Sequence, residues 1–151
     1  MAAERYLMIV VNEITIKQTT YEAYDIVKLL LDNKVWAFSS RGPLVKRISP
    51  GDRVVVYLAG KDNRCFVADF SIASEISHAN EEAIRSMGDL SRMFPLTCRV
   101  SDATIWANKK PIKDILVQLD FIQDKKNYGL YFRQGAKWLN KEDYERIVLA
   151  N

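Results

Sequence analysis

A chain of 151 residues with 48% hydrophobic residues, 27% charged residues and 4 prolines has the balance of one soluble globular domain rather than a disordered or fibrous protein. At this size folding buries roughly two thirds of the unfolded surface, so neither a disulfide framework nor a structural metal is required. No stretch is apolar for long enough to span a bilayer. The net charge of +3 and pI near 8.8 permit an anionic partner without demanding one. The opening Met1-Ala-Ala-Glu-Arg-Tyr6 carries an early acid and leads straight into a strand pattern, which does not suit a signal peptide. Cys65 and Cys98 both sit in apolar strand patterns and are expected to be buried, reduced thiols. The expectation is an intracellular, cytoplasmic protein.

In chain order, Tyr6 to Val11 is an unbroken apolar run and reads as a central strand ended at Asn12. Thr19-Thr-Tyr-Glu22 has capping-box spacing and predicts a helix over 20–32, with Tyr24, Val27, Leu30 and Leu31 on one face and a stop near Asn33. Val35 to Phe38 is a short apolar segment broken by Ser39-Ser-Arg-Gly-Pro43. Ser49-Pro-Gly-Asp52 has the form of a turn. Arg53 to Ala59 is β-branched and reads as a strand buried on both faces. Gly60 to Arg64 predicts a hairpin loop, and Cys65 to Ser74 its return strand, with Phe66, Ala68, Phe70 and Ile72 on one side.

His78 to Ser91 is polar, reads as part helix and part loop, and is the expected mobile segment. Phe94 to Val100 returns to alternation and Thr104 to Trp106 extends it. Pro111 suits the first turn of a short helix through Val117. Tyr128 to Arg133 predicts a final strand. Asn140 is placed to cap a terminal helix carrying Tyr144, Ile147 and Val148, with Asp143 at the favoured third position. Five or six strands joined by hairpins after the first helix, with three or four short helices, predict an α+β class. The architecture is a curved, mostly antiparallel β-barrel flanked by short helices, in one domain over 1–151.

The sequence offers little for catalysis. One histidine, His78, and two distant cysteines do not furnish the usual tetrahedral zinc set, so neither metal nor cofactor is expected. Gly42, Gly51 and Gly60 are isolated turn residues, not a phosphate-cradling loop. Any Ser or Cys nucleophile would depend on His78 alone. Glu81-Glu82 and Glu142-Asp143 occupy adjacent positions that diverge on a helix and read as solvated surface charge. Asp69, mid-strand between Val67 and Ser71, can point into the barrel. It reads as a hydrogen-bonded structural acid, and as the first suspect if the chain were an enzyme.

The order Asn33-Lys-Val-Trp36-Ala-Phe-Ser-Ser, a loop, Ile48-Ser-Pro-Gly-Asp52, Val54-Val-Val-Tyr57 and Cys65-Phe-Val-Ala-Asp-Phe70 resembles the EVE family, PUA-like domains related to YTH domains. Leu119-Asp-Phe-Ile-Gln-Asp-Lys-Lys-Asn-Tyr-Gly and Leu139-Asn-Lys-Glu-Asp-Tyr144 are similar to EVE proteins too, particularly compact archaeal ones. The likeness spans nearly the whole chain and lies in the order and spacing of the motifs. It implies a PUA-like curved sheet with a pocket, no enzymatic activity, and recognition of RNA or DNA carrying a modified, methylated base. Carried over by position, Trp36 matches the pocket wall after the first helix, followed by Ala37, Phe38 and Ser39 as base-edge partners. Asn12 matches the polar residue ending the first strand, and Tyr131, Phe132 and Arg133 the stretch that closes the pocket. The segment after Ser74 departs from the YTH pattern in lacking a tryptophan; Phe94 is its nearest aromatic.

These residue types suit the chemistry. Stacking a base on an aromatic ring contributes about 1–3 kcal/mol whichever base it is, so the polar partners must choose among bases. Lys46, Arg47, Lys109, Lys110, Lys125 and Lys126 are candidate phosphate contacts; Arg53, Lys113, Arg133 and Lys137 are further available cations. Without the family likeness Trp36 would read as a partly buried structural tryptophan. Trp106 reads as core, and Trp138 as the hydrophobic staple before the last helix. Two other readings stand beside the base reader: an RNA- or nucleotide-modifying enzyme or accessory subunit with an acidic pocket residue, and a small-molecule-binding module.

Overall fold

The computed structural model describes residues 4–42 and 44–149. Residues 1–3 of the opening segment and Pro43, the end of the expected break after Phe38, lie outside the described residues. Nine strands occur among those described: β1 (Tyr6–Val11), β2 (Ile14–Ile16), β3 (Thr19–Tyr21), β4 (Val35–Phe38), β5 (Arg53–Leu58), β6 (Cys65–Ile72), β7 (Ser77–His78), β8 (Leu96–Pro111) and β9 (Ala136–Leu139). The α-helices are α1 (Ala23–Asp32), α2 (Glu81–Met87), α3 (Leu90–Met93), α4 (Ile112–Ile115) and α5 (Lys141–Leu149).

Seven strands form one sheet in the order β4-β8-β6-β5-β1-β9, with β7 also paired to the start of β8. All pairings in it are antiparallel except β1 with β5. That one parallel pair has a local cause. The chain leaves β1, runs through α1 and β4, and re-enters the sheet beside β1, the crossover that a parallel pair requires. The sheet curls without closing, as a half-barrel whose end strands are β4 and β9.

Period-two alternation sends side chains to two cores. Leu7, Ile9, Val11, Val54, Val56 and Leu58 face the layer under α1. Met8, Val10, Val55 and Tyr57 face the layer under α4 and α5. Burial on both faces is what the unbroken apolar runs of β1 and β5 imply, and both strands are almost wholly buried. On β6 the alternation fails. A register irregularity between Phe66 and Ala68 puts Phe66 in the second core, while Ala68, Phe70 and Ile72 lie in the first.

Three local expectations are corrected and one holds. Thr19–Tyr21 forms a hairpin with Ile14–Ile16 instead of opening the helix. Ile14, Ile16 and Tyr21 pack against the core, and the Thr15 and Thr20 hydroxyls bond across the ladder at 2.9 Å. The helix therefore starts at Ala23, with Glu22 making no side-chain cap. The 78–91 segment is part helix and part connecting turn, as its composition implies: Asn80 accepts from the Ala83 amide at 2.8 Å, and Ala83, Met87 and Leu90 are buried. Tyr128–Phe132 is a 3₁₀ turn, not a strand, because Phe132 tucks onto Tyr57 with ring centroids 4.0 Å apart. Asp143 is not solvated charge but fully buried, accepting from the Asp120 and Phe121 amides at 2.8 Å each and pairing with Arg146 at 3.0 Å.

The other tryptophans and turns follow from the same packing. Trp106 is core, and its indole N–H donates to Asp69 at 2.6 Å. Asn140 caps α5 through the Asp143 amide at 2.7 Å. Leu139 rather than Trp138 joins Tyr144 in the core at that helix start. Trp138 instead lies under Arg5, whose guanidinium sits 4.5 Å from the ring centroid. Arg5 also grips Asp52 at 2.9–3.0 Å, and Asp52 accepts from the Ser49 amide, so the Pro-Gly-Asp turn is tied to the entry of β1. Gly51 sits at φ +96°, which only glycine adopts cheaply.

Candidate functional site

The sheet fails to close between β4 and β9, and a cavity of about 340 Å³ lies there. Its residues come from the end of β1 (Val11, Asn12), the hairpin (Ile14), α1 (Ile26, Leu30), β4 and the next residue (Trp36 to Ser39), and the 42–48 segment (Leu44, Val45, Ile48). Met93 and Phe94 complete it on one side, Gly135 and Ala136 on the other. Each end strand pairs on one side only, and on such an edge alternate residues turn N–H and C=O outward. The volume is at the small end of the roughly 300–1,000 Å³ typical of small-molecule sites.

Three rings line it: Trp36, Phe38 and Phe94. Trp36 is only 2% exposed, and one ring face is stacked on Phe70 at 5.0 Å and 29°. It is thus inner wall and core residue at once. Its register partner Cys98 stands beside it on β8, and burial pushes that thiol up to about 12, so it stays protonated. Phe94 is half-buried and the more accessible ring. Polar groups are few and sit at the mouth. Asn12 is exposed, and its amide makes no hydrogen bond among the described residues. The Ser39 hydroxyl accepts from the Arg41 amide at 3.2 Å, which leaves its own proton free to donate. No Asp or Glu is among the lining residues.

The structure brings together Asn12, Trp36, Ala37, Phe38 and Ser39, but not Tyr131, Phe132 and Arg133. Those three belong to the 3₁₀ turn and the residue after it. Phe132 is buried in the second core, Tyr131 packs beside Phe121, and Arg133 is exposed. The segment that reaches the cavity is Gly135-Ala136, two residues further on. Gly135 accepts from the Val10 amide at 2.9 Å and so ties this flank to β1. Sequence reasoning also missed Ile14, Met93 and the Leu44-Val45 turn. Of these, Met93 carries the clearest signal, an apolar residue left 47% exposed at a helix end.

The cations divide. Lys46 and Arg47 are exposed and continue the Leu44-Val45 turn at the cavity mouth; Arg41 and Arg92, unnoticed in the sequence, adjoin Gly42 and Met93. Lys109 sits over the Tyr24 ring at 4.1 Å, and Lys110 pairs opposite Phe66 at the far end of β8. Lys125 is occupied, donating to the Leu119 and Ile122 carbonyls, which pins the loop after α4. Lys126 lines a second cavity. Arg53 is no surface cation: its Nε is buried and its side chain faces Tyr144. Asp69 is in the second core, on the opposite face from Trp36. Burial raises its pKa against the opposing effects of Trp106 and Arg53.

Fold and cavity together define an α+β domain built on a curled, unclosed sheet with a cavity at its open edge. No protein-family model matches the chain, and no curated protein matches it in sequence. Among solved structures it is similar to the human THYN1 protein in complex with 5-methylcytosine-containing DNA: TM-score 0.64, 11% identity, 97% of this chain and 96% of that one covered. It is similar to the YTH domain of Zygosaccharomyces rouxii MRB1 protein in complex with N6-methyladenosine RNA, with TM-score 0.62, 9% identity, and 97% and 86% coverage. The N-terminal domain of Thermococcus gammatolerans McrB bound to m5C DNA gives TM-score 0.53, 16% identity, and 97% and 98% coverage. At these identities the likeness establishes the fold.

Proposed function

We propose that this protein is a non-catalytic nucleic-acid-binding module that takes one modified base, in RNA or DNA, into the Trp36 cavity. The observation that carries the reading is the aromatic, carboxylate-free cavity at the unclosed edge, with Asn12 and Ser39 as polar groups at its mouth. An apolar slot of this size favours a flat heterocycle, and a methyl group adds dry contact there. Asn12 can donate and accept on a base edge, and Ser39 can donate. Lys46, Arg47, Arg41 and Arg92 lie where a backbone would pass. Three proteins of this fold were solved with methylated DNA or RNA, which agrees with the reading. The enzyme alternative loses its nominated acid, because Asp69 is bonded to Trp106 on the other face of the sheet.

The test is a panel of short oligonucleotides, each carrying one modified base beside its unmodified control, bound to wild type, Phe94→Ala and Asn12→Ala. Loss of a base-stacking ring costs about 1–3 kcal/mol, so Phe94→Ala is expected to weaken binding of the preferred oligonucleotide by roughly ten- to a hundredfold. Asn12→Ala should narrow the gap between modified and control. If wild type discriminates no modified base from its control, the assignment is wrong. Trp36→Ala is a poor probe here, since truncating a buried, stacked tryptophan costs about 3–5 kcal/mol of stability.

A further inference from the structure

The other face of the sheet carries a second cavity, of about 300 Å³, lined by Tyr57, Ala59, Gly60, Arg64, Lys126, Tyr128, Gly129 and Phe132. Two cations line it, Arg64 from the β5–β6 hairpin and Lys126 from the loop before the 3₁₀ turn, both exposed, and no carboxylate does. Tyr57 lines it as well. Tyr57 is only 2% exposed, its ring held by Phe66 at 5.0 Å and Phe132 at 4.0 Å, yet its hydroxyl has no hydrogen-bond partner among the described residues. Tyr57 lines the cavity, and its hydroxyl is not among the fully enclosed polar atoms, so it is open to the cavity. An accessible hydroxyl with no partner in the protein is free to donate to an occupant. Burial raises the pKa of Tyr57 further, which keeps the hydroxyl a donor throughout the physiological range.

We infer that this cavity binds a phosphate group, held by the Tyr57 hydroxyl, the Arg64 guanidinium and the Lys126 ammonium. A fixed donor that shares a cavity with a fork-shaped and a point cation suits a tetrahedral oxyanion. Gly60, at φ +105°, and Gly129 put no side chain over the opening. The phosphate can come from the backbone of a bound strand, the source that rests on the proposed function, or from a small phosphorylated molecule.

Inorganic phosphate titrated into the full chain, followed by amide NMR shifts, tests the site independently of any base. Saturable shifts confined to the 59–65 and 126–132 segments are expected. In Tyr57→Phe, which keeps the ring packing, affinity should fall about tenfold, as for one hydrogen bond to a charged group. In Arg64→Gln/Lys126→Gln, which alters only exposed side chains, saturation should disappear. Absence of saturable shifts in wild type, or identical titrations in both variants, overturns the site. Oligonucleotide binding identifies the source. For a strand phosphate, the double variant lowers the slope of log affinity against log salt by about one to two. An unchanged slope with phosphate binding intact in wild type assigns the site to a small phosphorylated molecule. Failure of the base panel leaves the phosphate titration untouched, so the two readings fall separately.

Discussion

Under α1 the sheet carries Trp36, Phe38 and Phe70 and ends in an unclosed edge; on the opposite face it carries Tyr57, Phe66 and Trp106 and is roofed by α4, α5 and the 119–132 loop. The first layer is a cluster of apolar side chains. The second holds buried polar and charged groups: Asp69 with Trp106, Asp143 with two backbone amides and Arg146, and Arg53 beside Tyr144. The difference teaches where the specificity of the fold resides. A polar network with fixed partners defines one arrangement of the roof, whereas the apolar layer imposes no such directions and keeps the polar groups of its cavity at the rim.

Substitutions can break this comparison, and the largest effect belongs to the roof. Asp143→Ala strips the Asp120 and Phe121 amides of their acceptor and leaves Arg146 unpaired on that side. A loss of about 3–5 kcal/mol is expected in urea denaturation; a loss under about 1 kcal/mol would show that water replaces the carboxylate freely. Next comes Phe70→Leu, which removes the ring behind Trp36 while keeping bulk. The expected cost is about 1–2 kcal/mol, with weaker oligonucleotide binding as the Trp36 wall loosens.

Asp69→Asn reverses the sign. The folded-state pKa of Asp69 lies above the unfolded value of roughly 3.9, so the folded form holds the proton more tightly. Stability referable to this group is present at low pH and lost as pH rises through that window. The asparagine variant should match wild type near pH 3 and exceed it at pH 7, judged by urea midpoints. A variant less stable at neutral pH would mean that the charge itself matters to Arg53 or Trp106. The smallest effect is expected for Lys46→Gln/Arg47→Gln: no change in stability, and a salt slope of binding reduced by about two.

How much could be read in advance depends on how local the cause was. The runs of β1 and β5, the Asn140 cap and the Pro-Gly-Asp turn are encoded within a few residues, and they form as the pattern implies. Asn12, Trp36, Ala37, Phe38 and Ser39 converge because they lie at the ends of early strands in a topology that the family likeness implied. What escaped depends on distant partners. Thr19-Thr-Tyr-Glu22 satisfies a capping box on paper, but Ile14 and Ile16 offered those residues a ladder and a core. Tyr131-Phe132-Arg133 looks like a strand, but Tyr57 recruits Phe132 into a stack and the chain coils there instead. Asp143 looked like surface charge because the amides it serves lie 22 and 23 residues earlier.

The gap between β4 and β9 has a consequence for how the cavity can change shape. A hole bored through a continuous wall could be enlarged only by breaking rungs of the ladder. This one is a slit between two selvedges, with Ser39, Gly42 and Leu44 on one side and Gly135 on the other; Gly135 is bonded to Val10, so a residue inserted after Ser39 resizes the opening while the ladder stays intact. Divergence in the shape of the opening can therefore proceed by editing that one side at almost no cost to the scaffold, with each new rim presented by the same frame.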